Sequence, residues 1–180
     1  IDKLLSKSLY FTQTISSSDS TGNSIGSIFS GLYPCKSKIN FYNFDSTVPL
    51  FTNILKNNGY SLLSVVPDLS FFTKLILNFD KNLSYVYDKR DSWIQLQGGI
   101  GEQIVQHIKS TDNCNPWFMF IHLMDLHGPF FIPSEFANAD YGINRYAQML
   151  SYIDVWIGKI LSQINFDNTL VIITSDHGEY

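Results

Sequence analysis

Residues 115–130 read NPWFMFIHLMDLHGPF. The run Trp117 to Ile121 has the length of one strand and none of the alternation of a half-exposed one. It therefore predicts a strand buried on both faces, as in a parallel sheet covered by helices. It ends in His122, Asp125 and His127 before a Gly-Pro turn. Residues 168–180, NTLVIITSDHGEY, repeat the design: Leu170 to Ile173 predict a second buried strand, which stops in Ser175, Asp176, His177, Gly178 and Glu179. Open α/β sheets collect ligands at the carboxyl ends of their strands. Three of the 4 histidines fall at these two ends, and His107 stands alone on a predicted helix.

Working outward, helical and extended patterns alternate. IDKLLSKS (1–8) has helical spacing and LYFTQTI (9–15) alternates like a strand. SSSDSTGNS (16–24) is a polar loop, and NSIGSIFSGLYP (23–34) suits a short helix stopped by Gly31, with Pro34 beyond. STVPLFTNILKNNGY (46–60) predicts a helix capped near Ser46 or Thr47, with Leu50, Ile54 and Leu55 on one face and Gly59 as its stop. YSLLSVVPD (60–68) predicts a strand, and 68–98 reads as mixed structure. GEQIVQHIKS (101–110) is an amphipathic helix with Ile104, Val105 and Ile108 inward. INRYAQMLSYIDVWIGKILSQI (143–164) is the longest helix. The fold class is α/β, a mainly parallel sheet sandwiched by helices.

Composition narrows the function. With 180 residues, 44% hydrophobic and 15% aromatic, the chain has enough apolar side chains for one sizeable core. Charged residues are 16%, against roughly 25% in an average domain. A net charge of −4 and a pI near 5.4 argue against a general nucleic-acid binder. Cys35 and Cys114 form no CxxC pair, so two buried thiols and one disulfide both remain open. No apolar stretch reaches the roughly 18–20 residues of a membrane span. The chain begins with Ile1 inside a helical pattern, so it reads as cut at both ends.

Three segments carry candidate chemistry. The adjacent carboxylate and imidazole of Asp176 and His177 suit a hard or borderline cation, and Gly178 lets the backbone aim both at one place. The plainer alternative makes Asp176 a helix cap and His177 a polar turn residue. In the 16–34 segment a hydroxyl at a helix start is either an ordinary N-cap or an oxygen aimed, with free N–H groups, at an anion. A cation on that oxygen would turn it into a nucleophile near neutral pH. His122, between apolar neighbours, reads as a hydrogen-bonded core residue. Asp125 is placed to orient His127 or to cap the next turn, and Glu179 to support the Asp-His pair or face solvent.

Taken in order, IDKLLSKSLYFTQTIS (1–16), SIFSGLYP (27–34), WFMFIHLMDLHGPF (117–130) and RYAQMLSYIDVWIGKILSQINFDNTLVIITSDHGE (145–179) resemble the sulfatase family of the alkaline phosphatase superfamily. The resemblance implies an alkaline phosphatase-like fold and a partial catalytic domain spanning 1–180. The family's first acidic metal ligand would precede Ile1, and further basic and histidine residues would follow Tyr180. The 180 residues alone are thus expected to hold metal incompletely and to be inactive. The resemblance makes Asp176 and His177 metal ligands for a divalent ion (zinc, manganese or calcium) and His127 a holder of the substrate's sulfate or phosphate oxygens. It puts the nucleophile, itself a ligand, at Thr21, with Ser20 or Ser18 taking its place if the register slips.

Sulfatases that use formylglycine carry Cys or Ser followed by Pro and Arg. This chain has Thr21, Gly22, Asn23, Ser24 and Ile25 instead, which excludes that route and is closer to the phosphoethanolamine and phosphoglycerol transferase branch. The implied function is a metal-dependent hydrolase or transferase of phosphate or sulfate esters. Lipids or envelope glycans would be acceptors, and any membrane association would come through segments outside this chain. The alternative is a catalytically inactive sulfatase-like binding or assembly module.

Overall fold

The computed structural model describes residues 1–86, 95–111 and 115–178. After a 3₁₀ turn over Asp2–Lys7 come α1 (Thr21–Ser30), α2 (Pro34–Ser37), α3 (Phe51–Asn57), β1 (Ser61–Pro67), α4 (Ser70–Leu75) and β2 (Lys81–Tyr85). A wide helical turn over Leu96–Ile100, broken at Gly99, leads into α5 (Gly101–Lys109) and β3 (Trp117–Ile121). Two 3₁₀ turns, Ser134–Phe136 and Ala139–Tyr141, precede α6 (Arg145–Leu161). No described helix is long and apolar enough to cross a membrane. Predictions for Cys114 and Glu179 fall outside the described residues.

The chain divides into two compact units. One comprises Thr14–Ser84, Asp112–His122 and Ile172–Tyr180. Its sheet has the order β2-β1-β3. β1 and β3 are parallel, with Ser61 opposite Trp117 and Val65 opposite Ile121. Leu62 to Pro67 are all buried because β1 has a neighbour on each side. β3 is only half-buried throughout, not buried on both faces as its composition predicts, because it is an edge strand of the described sheet. Helical side chains cover the sheet: Phe29 of α1 meets Phe120 edge-on at 4.9 Å and Phe51 of α3 meets Phe118 at 5.3 Å. Such T-shaped contacts suit the aromatic quadrupole.

α1 is held close to its neighbour by the absence of side chains. A Cβ at Gly22 would come within 2.8 Å of Phe41, and one at Gly26 within 2.8 Å of Ile39. The helix ends at Gly31 in the left-handed conformation (φ 69°), as the sequence predicts.

Three local expectations fail. Residues 9–15 form no strand, and Leu9 and Ile15 are almost fully exposed. Residues 169–175 also form no strand among the described residues, with Leu170 86% and Ile172 77% exposed. Both stretches have strand composition but join no sheet among the described residues, and an apolar run outside a sheet stays largely exposed. α3 starts at Phe51 instead of following a cap at 46–47. Asp45 accepts both the amide and hydroxyl hydrogens of Thr47, and Pro49 disfavours helical backbone at Val48. Ile54, expected on the inward face with Leu50 and Leu55, faces solvent.

The other unit comprises Ile1–Gln13, Tyr85–Thr111 and Leu123–Val171. α5 buries Ile104, Val105 and Ile108 as predicted, and α6 buries Met149, Tyr152, Ile153, Trp156 and Ile160 at helical spacing. Asn144 caps α6 by accepting the Ala147 N–H at 2.8 Å. Gly101 gives Trp156 its place, since a Cβ there would lie 2.3 Å from the indole ring.

Candidate active site

The first intrahelical bond of α1 runs from the Ser24 N–H to the Ser20 carbonyl at 2.9 Å. The N–H groups of Thr21, Gly22 and Asn23 therefore stand outside the ladder, at the positive end of the helix dipole. The preceding loop is fixed by Ser18: its hydroxyl oxygen accepts the Ser20 N–H at 3.2 Å, and its carbonyl accepts the Ser24 hydroxyl at 2.9 Å. Ser20 occupies the N-cap position without a side-chain capping bond.

Thr21 Oγ1 lies 3.0 Å from Nε2 of His177, although 156 residues separate them in sequence. Nδ1 of His177 lies 2.6 Å from the Gly178 carbonyl oxygen. A carbonyl only accepts, so Nδ1 carries the ring proton and Nε2 presents its lone pair to the Thr21 hydroxyl. Oδ2 of Asp176 stands 3.5 Å from the same Nε2; it is buried and makes no hydrogen bond among the described residues. One imidazole nitrogen thus has the Thr21 and Asp176 oxygens both close to it. Ligands at about 2 Å in a tetrahedral site are separated by about 3.3 Å, which these spacings match. A carboxylate, an imidazole and a hydroxyl make a donor set for zinc, manganese or calcium. Among the described residues no three His, Cys, Asp or Glu side chains form a metal cluster.

His122 follows β3, where its N–H bonds the Val65 carbonyl at 2.9 Å and its ring lies 4.8 Å from that of Phe72. Burial pushes its pKa down to about 4, with Asp176 opposing and His177 reinforcing the shift. The core reading holds for its surroundings but misses its electrostatic contact with the Asp-His pair. The alternation of His122 with apolar neighbours gave no signal of that. The Gly22–Gly26 spacing, which lets α1 approach Ile39 and Phe41, is the sequence signal for that close packing.

His127 and Asp125 belong to the other unit. His127 repeats the His-Gly arrangement, with Nδ1 2.9 Å from the Gly128 carbonyl oxygen. Asp125 is fully buried and its Oδ1 accepts the Leu96 N–H at 3.1 Å, so its bond goes to the turn before α5. Burial raises its pKa to about 6, against the Leu96 and Gln95 backbone bonds that favour the charged form.

A parallel sheet with flanking helices makes this an α/β domain. The sulfatase family model matches residues 1–180, and the chain belongs to that family. A lipoteichoic acid synthase, LtaP, from Listeria monocytogenes is similar in structure, with a TM-score of 0.56, 19% identity, and coverage of 84% of this chain and 41% of its own. A protein of the alkaline phosphatase superfamily from Vibrio parahaemolyticus gives a TM-score of 0.60, 17% identity, and coverage of 85% and 41%. The chain therefore spans about 41% of the length of these two structures. No curated protein matches it.

Proposed function

We propose that this chain carries the nucleophile and two metal ligands of a phosphate-ester transferase or hydrolase, with Thr21 as the nucleophile. The observation that carries the reading is the 3.0 Å approach of His177 Nε2 to Thr21 Oγ1 at the start of α1, beside the unpartnered Asp176 Oδ2. A divalent cation held by Asp176, His177 and Thr21 would lower the pKa of the Thr21 hydroxyl and offset negative charge developing on the substrate. The Nε2 lone pair can take the Thr21 proton or serve as a ligand, but not both at once; when it is a ligand the proton leaves to solvent.

Thr21 Oγ then attacks phosphorus in line. The Oγ–P bond forms, the ester P–O bond breaks, and the leaving oxygen takes a proton from water. The α1 N–H groups outside the ladder are the donors proposed for the non-bridging oxygens. In the second step an acceptor hydroxyl attacks the phospho-threonine and restores Thr21. By likeness to the lipoteichoic acid synthase, that acceptor belongs to an envelope lipid or glycan, and water is the alternative. Sulfate esters would fit the same geometry, but a threonine in place of a formylglycine precursor favours phosphate.

The test is turnover of aryl phosphate and aryl sulfate by the full-length protein with zinc, manganese or calcium, alongside Thr21→Ala. Phosphate turnover should fall at least about 10³-fold in the variant. Turnover that survives the substitution rejects the nucleophile, and metal binding without any turnover favours an inactive binding module.

A further inference from the structure

The unit that contains α5 and α6 has a cavity of about 270 Å³ that the reading above does not use. Phe136, Tyr152 and Trp156 wall it, with Glu135 and Lys159 also in its lining. The rings of Phe136 and Tyr152 meet edge to face at 5.5 Å. Lys159 Nζ already lies 3.8 Å from the centroid of Trp156. Tyr152 is 3% exposed, yet its hydroxyl makes no hydrogen bond of normal geometry. Beside it, Asp125 is fully buried and its Oδ2 is also unpartnered.

These groups favour one sign of charge. Aromatic faces present negative electron density to a cation. Burial raises the pKa of the Tyr152 hydroxyl, and the carboxylates of Asp125 and Glu135 raise it further, so both place negative potential on that oxygen. An anionic ligand would meet the Glu135 carboxylate and three aromatic side chains of the lining, with the Asp125 carboxylate behind Tyr152. The positive group in the lining, Lys159, is carried on a flexible four-carbon stem and lies over an aromatic face, which is where a cation is best held.

We propose that this cavity binds a small organic ammonium group, and that Lys159 is a tethered occupant which the ligand's ammonium displaces. The ligand N–H groups would donate to the Glu135 carboxylate and the Tyr152 oxygen, and its carbon skeleton would lie against Phe136 and Trp156. The inference is independent of the Thr21 site and stands or falls separately from it.

Isothermal titration of the full-length protein with benzylammonium chloride, and with benzyl alcohol as the neutral isostere at equal ionic strength, tests it. Saturable binding of benzylammonium is expected, with benzyl alcohol at least about tenfold weaker. Lys159→Met should tighten benzylammonium binding about threefold or more by removing the internal competitor, and Glu135→Gln should weaken it by a similar factor. Lys159→Gln replaces Lys159→Met if the latter loses its native circular dichroism. Binding seen only after Lys159 is replaced also supports the proposal. Equal binding of alcohol and ammonium, or no saturation in both the natural and Lys159-substituted proteins, overturns it.

Discussion

β1 and the segment Leu170–Thr174 have nearly the same composition and opposite fates. Beyond Ser61 every residue of β1 is buried between two neighbouring strands. Leu170 and Ile172 project into solvent, and the described residues give their backbone no ladder. Yet the exposed segment delivers His177 to Thr21. An apolar run supplies the means to be a strand, but partners on either side decide whether it becomes one. The contact to Thr21 comes from the turn with Asp176, His177 and Gly178, not from a strand. Stability and chemistry should therefore separate between these two regions.

The largest effect sharpens that separation. His177→Ala removes the contact to Thr21 from an otherwise thinly packed segment, so aryl phosphate turnover should drop by about 10²–10³-fold. The urea midpoint should hardly move. An equal loss of stability would show that the segment belongs to the core.

Paired substitutions test the comparison directly. Val65→Asp places an unpaired charge in the fully buried strand and should cost at least about 3 kcal/mol. Ile172→Asp should stay within about 0.5 kcal/mol, as at exposed sites generally. Urea melts of both variants give the answer. Comparable losses would break the comparison and restore the second buried strand that the sequence predicts.

A smaller effect concerns the buried carboxylate at Asp125. Its pKa is raised to about 6 in the folded state, from about 3.9 in an unfolded chain. Stability is thus greatest where Asp125 is protonated in both states, below about pH 4, and falls as pH rises through 6. Asp125→Asn removes the cost of the buried charge while keeping an oxygen for the Leu96 N–H. At pH 7.5 it should stabilise the protein by about 1–2 kcal/mol, and that gain should vanish near pH 4. Melts at the two pH values check the slope. A variant less stable at pH 7.5 would show that the carboxylate has a compensating partner.

Much of this was legible in sequence. Helical spacing found α1, α5 and α6, and strand composition found β1 and β3. Gly31 marks the end of α1, and the sequence points to Thr21, Asp176 and His177, which the structure brings close together. What was not legible depended on neighbours distant in sequence. Leu9–Ile15 and Leu170–Ile173 look like strands because side-chain pattern records local preference and not the presence of a partner. α3 began late because Asp45 and Pro49 together outweighed the Ser46 and Thr47 cap signal. His122 lies near the Asp-His pair only through the folding of β3, and Asp125 bonds the turn before α5 instead of the histidine two residues away.

Thr21 is the proposed nucleophile, with Asp176 and His177 proposed to activate it. Rapid acid quenching of the full-length protein during aryl phosphate turnover, followed by mass spectrometry of its peptides, tests this most directly. Phosphate should appear on Thr21, and Asp176→Asn should reduce its amount. Phosphate on Ser18 or Ser20, or steady turnover with Thr21 never modified, would contradict the assignment.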